Sequence, residues 1–140
     1  MDRVLLDTDI FSEVLKKKDQ AVAGQARAYR ARHGRFTLSA ATVMEVVQGL
    51  CRLDARKQLE TFLGSIDEAE IVAVDQDIAV LAGRIDGALL RRGITIGVND
   101  VLIAATAIHL DLALVTGNTE HYERVGEVGY PLALANWRNQ

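Results

Sequence analysis

A chain of 140 residues with 49% hydrophobic content can build one sizeable core and has little room for a second, so residues 1–140 are expected to form a single domain. A formal net charge of −3 argues against a protein that coats nucleic acid by bulk positive charge, and one proline with eleven scattered glycines excludes collagen-like and disordered compositions. The one cysteine, Cys51, cannot make an intrachain disulfide and no stretch reaches secretory or membrane-spanning length, so a cytoplasmic setting is expected, with Cys51 a small buried hydrophobe beside Val46, Val47 and Leu50.

Short apolar runs alternate with longer segments of helical period, the pattern of an α/β domain with a mostly parallel sheet. In chain order the reading gives a strand at 4–6, helices at 9–17 and 20–33, a strand at 36–38, and helices at 40–51 and 54–64. A strand at 71–74, a helix at 76–92, a turn-rich loop at 93–97 and a helix at 99–110 follow. A strand at 112–115 and an edge strand at 131–134 complete the chain. The expected architecture is an α/β/α sandwich around a sheet of four or five strands. Val43, Val46, Val47 and Leu50 follow the i, i+3, i+4, i+7 template, whereas the segment after Asp100 is apolar nearly all round and belongs inside the fold. Lys16, Lys17, Lys18, Arg27, Arg30, Arg32 and Arg35 leave the N-terminal region basic, which reads either as a solvated helix face or as a surface for phosphates.

Parallel sheets bind ligands beyond the carboxyl ends of their strands, and the acids of this chain fall there. Asp7 follows the first strand directly. Ser39 ends the second and can cap the helix that carries Glu45. Thr116 and Asn118 follow the fourth, and Asp100 opens the buried helix leading into it. Parallel strands would gather Asp7, Asp100 and Asn118 along one rim with Glu45 in reach. Carboxylates about 5 Å apart repel by roughly 3 kcal/mol per pair at an effective dielectric near 20, so such a cluster calls for a hard divalent cation, Mg²⁺ or Mn²⁺, held on oxygen. The chemistry such a site suits is phosphodiester hydrolysis.

Each acid also has a structural reading. Asp7 serves as a turn or cap residue, Glu45 three residues after Thr42 fits a capping box, and Asp100 suits the positive end of a helix. His33, His109 and His121 share no metal-ligand spacing and read as surface or helix-end residues. No nucleophilic triad or glycine-rich phosphate loop is apparent.

Five segments, in order, carry a family resemblance: Leu5-Leu6-Asp7-Thr8-Asp9-Ile10 with Ser12-Glu13; Leu38 through Gly49 around Glu45; Asn99-Asp100-Val101-Leu102-Ile103-Ala104-Ala105; Leu114-Val115-Thr116-Gly117-Asn118-Thr119-Glu120-His121-Tyr122; and Asn136-Trp137. The chain resembles the PIN-domain ribonucleases, specifically the VapC type, the toxin half of a toxin–antitoxin pair. The resemblance implies an endoribonuclease dependent on Mg²⁺ or Mn²⁺, with Asp7, Glu45 and Asp100 as its acidic centre, silenced by a cognate antitoxin and commonly paired as a homodimer. The family's fourth, often acidic position falls on the segment offering Asn118, Glu120 and His121. Thr8, Ser39 and Thr116 are candidate supporting hydroxyls.

Two rivals share parts of the pattern. An aspartate-nucleophile phosphatase would use Asp7-Thr8-Asp9, but Phe11 stands where Thr or Val is usual. A phosphoacceptor receiver domain would use Asp75, but it needs a lysine after its last strand and this chain has none beyond Lys57.

Overall fold

The structure, a computed structural model, describes residues 2–139. Strand β1 (Val4–Leu6) leads into α1 (Thr8–Lys16) and α2 (Gln20–His33), then β2 (Thr37–Ser39), α3 (Ala40–Arg52), α4 (Arg56–Ile66) and β3 (Glu70–Val72). Helices α5 (Gln76–Arg91) and α6 (Val98–His109) precede β4 (Ala113–Val115), α7 (Thr119–Glu127), β5 (Leu134–Ala135) and a 3-10 turn over Trp137–Asn139.

Every strand pairing is parallel. β4 lies between β1 and β5, and β2 pairs with β3. β1 and β2 lie side by side but share no ladder, so the expected sheet is split three and two. Alternation along the strands divides the apolar residues between two cores, because successive side chains point to opposite faces. Leu5 and Leu114 join the core built with α5, α6 and α7, while Leu6 and Val115 join the one built with α1, α2, α4 and Trp137. Helix α3 contributes to both, through Ala41 on one side and Val43, Val46, Val47 and Leu50 on the other. This is the expected α/β/α layering.

Helix α6 is the buried helix that its composition implies, with Val101 and Ile103 to Ala107 all inside, and its alanines allow close packing along α5. Three expectations need correction. The edge strand is Leu134–Ala135 rather than 131–134, since Pro131 has no N–H to give a ladder; the carbonyls of Ala133 and Ala135 instead accept from Leu114 and Thr116. The third strand ends at Val72 because its partner is three residues long, and Asp75 then caps α5 by accepting from Ile78 N–H at 2.9 Å. Cys51 is exposed, about 100° round α3 from Leu50, which is far enough to leave the apolar stripe.

Helix α7 was not expected. Its segment carries four charged residues and buries only Tyr122 and Val125, so the apolar signal is an i, i+3 pair and no more. No described helix is long and apolar enough to cross a membrane.

Candidate active site

Asp7 leaves β1 with its N–H still bonded to Val115 O at 3.0 Å, so the ladder fixes its backbone. Its side chain caps α1, Oδ1 accepting from Ile10 N–H at 2.8 Å. The register Leu6↔Val115 sets it beside Thr116, whose hydroxyl donates to the carboxylate while accepting from Asn118 N–H at 3.0 Å. Asp7 is only 3% exposed. Burial pushes its carboxyl up to about 6, opposed by the bonds from Thr116 and Ile10 and reinforced by the charges of Asp9 and Asp100. The cap reading therefore holds for this residue, whose carboxylate also faces the charges of Asp9 and Asp100.

Glu45 reaches the same place from α3. Thr8 Oγ1 lies 2.6 Å from Glu45 Oε1 and 3.1 Å from Thr42 Oγ1. A hydroxyl has one proton to give; it goes to the carboxylate, leaving Thr42 to donate to Thr8. The capping-box alternative for Thr42 and Glu45 is thereby overturned, because Ser39 caps α3 by accepting from Ala41 N–H at 3.0 Å and Thr42 is committed to Thr8. Ser39 is fully buried beneath the helix start and does not line the pocket.

Asp100 stands in the first turn of α6, entered through Gly97 at φ 102°, a conformation that favours glycine. His121 Nε2 lies 2.9 Å from Asp100 Oδ2 and 3.1 Å from Ile96 O. Both neighbours are acceptors, so Nε2 carries the proton and donates to both. Tyr122, 2% exposed, directs its hydroxyl to Asp100; burial and the charges of Asp100, Asp7 and Glu45 push its ionisation far above the usual tyrosine range. The surface or helix-end reading fits His33 in the last turn of α2 and exposed His109, but it fails for His121. Without α7, nothing in the local spacing placed that ring.

Asp7, Thr8, Asp9, Glu45, Asp100, Asn118, His121 and Tyr122 together line a pocket of about 110 Å³. Residues from four distant segments thus meet, as the positions of the acids implied. Sequence reasoning missed Asp9 and Tyr122, and reached His121 only through the family resemblance. Glu120 is exposed and outside the pocket lining, and Thr116 sits fully buried behind Asp7. None of the basic residues from Lys16 to Arg35 lines the pocket, and Asp75 is a helix cap elsewhere.

The donor set suits a hard cation. The acidic wall is carboxylate oxygen, and the raised Asp7 carboxyl marks a buried site short of positive charge. Among the described residues no three His, Cys, Asp or Glu side chains form a ready-made coordinating cluster; Glu45 is bonded to Thr8 and Asp100 to His121.

The fold is that of a PIN domain: residues 4–128 match the PIN domain family, and the chain belongs to it. The relatives it matches are VapC proteins. It is 29% identical over 127 residues to the tRNA(fMet)-specific endonuclease VapC of Shigella flexneri, covering 90% of this chain and 94% of that one. Among solved structures, DNA-bound VapBC from Salmonella typhimurium superimposes with a TM-score of 0.81 at 26% identity, covering 98% of this chain and 99% of that one. A toxin–antitoxin complex from Klebsiella pneumoniae gives 0.68 at 25% identity, covering 96% and 97%.

Proposed function

We propose that the chain is a metal-dependent endoribonuclease, one nuclease domain that hydrolyses RNA phosphodiester bonds as the toxin of a toxin–antitoxin pair in the cytoplasm. The observation that carries this reading is the convergence of Asp7, Glu45 and Asp100, from three separate elements, on one polar pocket around a buried carboxylate. Asp7 and Asp100 would hold Mg²⁺ or Mn²⁺, with Glu45 completing the set. When bound, the ion supplies positive charge against the charge developing on the phosphate and makes the attacking water more acidic.

The remaining groups hold this arrangement. Thr8 donates to Glu45 and so aims its carboxylate into the pocket, where it can orient the water and take its proton. Thr116 holds Asp7, and His121 with Tyr122 holds Asp100. Asn118 lines the pocket, in the segment where the family's often acidic fourth position falls, as a polar helper beside the carboxylates of Asp7, Glu45 and Asp100. Silencing by an antitoxin is supported by the toxin–antitoxin complexes among the structural relatives. Pairing as a homodimer follows from the family resemblance, and sedimentation of the purified chain decides it.

The direct test is incubation of purified chain with RNA. Cleavage is expected with Mg²⁺ or Mn²⁺, none in EDTA, and none from Asp100→Asn under either condition. Cleavage that survives both changes rules the reading out.

His121 provides a finer test. Residues that orient a metal ligand typically contribute 10–100-fold to metal affinity or activity, so His121→Ala is expected to lose about that much. His121→Gln can present an N–H to Asp100 in nearly the same place and should recover most of it. Equal losses in the two variants, measured as the Mn²⁺ concentration giving half-maximal rate, would show that the donated hydrogen bond is not what matters.

A further inference from the structure

RNA approaching this pocket meets Asp7, Asp9, Glu45 and Asp100, and none of the pocket-lining residues is lysine or arginine. A polyanion needs a cation nearby, and one is held at the edge. Arg138 follows Asn136 and Trp137 in the C-terminal 3-10 turn. Trp137 is buried and packs on Tyr29 with ring centroids 5.9 Å apart, while Asn136 Oδ1 accepts from Arg138 N–H at 2.9 Å. Those two contacts fix where the Arg138 side chain starts.

The guanidinium crosses to α1. Nε bonds to Glu13 Oε1 at 2.8 Å and Nη2 to the same oxygen, so the pair is one-sided and Glu13 Oε2 stays buried without a partner among the described residues. Nη1 is left over Gly117, with no hydrogen bond to the chain among the described residues. A Cβ on Gly117 would overlap the guanidinium, so this glycine makes room for the cation. Gly117 lies between Thr116, which bonds Asp7, and Asn118, which lines the pocket. The Arg138 charge is also felt by Asp9 and Asp7.

We infer that Arg138 is a substrate-contacting residue: its Nη1 edge, aimed over Gly117 by Glu13 and the Trp137 anchor, receives an RNA phosphate next to the acidic pocket. Arginine suits this task because its planar fork keeps donors free after two are engaged. The side chain is 34% exposed, enough to meet a ligand while remaining held. The inference rests on the ribonuclease reading and adds a specific contact to it.

The test is the salt dependence of RNA binding, followed by anisotropy of a labelled single-stranded RNA in EDTA on the uncleaving Asp7→Asn background. Each phosphate contact to single-stranded RNA contributes about 0.7 to the slope of log affinity against log salt. Arg138→Ala is expected to lower that slope by about this amount and to weaken binding several-fold; Arg138→Lys should keep the slope. Gly117→Ala is the second variant, because its backbone needs no special φ and its one clash is with the guanidinium. It should weaken binding as Arg138→Ala does, with no further loss when the two are combined. If Arg138→Ala melts lower but binds RNA with the parental slope, Arg138 only ties down the C-terminal turn and the inference fails while the ribonuclease reading stands. If the unsubstituted chain neither binds nor cleaves RNA with Mn²⁺, both fail.

Discussion

Asp7→Asn is expected to stop RNA cleavage while making the metal-free protein more stable at neutral pH. Asparagine caps a helix as well as aspartate does, so the bond to Ile10 N–H survives and α1 keeps its start. What disappears is a charge in a buried place. Groups one step removed from a metal already contribute roughly 10–100-fold, so loss of a direct ligand should exceed 100-fold in rate. Cleavage at the parental rate would overturn the assignment of Asp7.

The stability half of this result has a definite pH course. The folded carboxyl of Asp7 is raised from 3.8 to about 6, so the folded state binds its proton more tightly than the unfolded state does. Its contribution is fully present below about pH 4 and is lost as pH rises through about 6. The total is up to about 3 kcal/mol. The stability advantage of Asp7→Asn in EDTA should therefore open between about pH 4 and 6 and stay level above. Parallel denaturation curves of parent and variant across that range would contradict the burial argument.

The second large effect is stabilisation of the parent by the cation itself. A ligand that binds only the folded state at 100 times its dissociation constant adds about 2.7 kcal/mol, which a thermal melt resolves easily. Mn²⁺ should raise the melting temperature of the parent and leave Asp7→Asn and Asp100→Asn nearly unmoved. Because the ion competes with the proton on Asp7, its apparent affinity should weaken as pH falls below about 6. An equal rise in all three proteins would place the ion elsewhere on the surface.

The layered α/β architecture is legible in the chain, because short apolar runs alternating with segments of period 3.6 leave few other ways to bury their apolar faces. The sequence also determined which acids stand at strand ends, and the pocket gathers Asp7, Glu45, Asp100 and Asn118 as that placement implied. The partners of those acids follow from packing between distant elements. His121 and Tyr122 sit on α7, a helix with too few apolar positions to declare itself, and they meet Asp100 across 21 and 22 residues of chain. Thr42 has the spacing of a cap but is bonded to Thr8, and Arg138 reaches Glu13 over a separation of 125 residues. Backbone periodicity is a local property that short segments express; which hydroxyl, imidazole or guanidinium turns toward a carboxylate depends on how distant elements pack, and no local pattern records that.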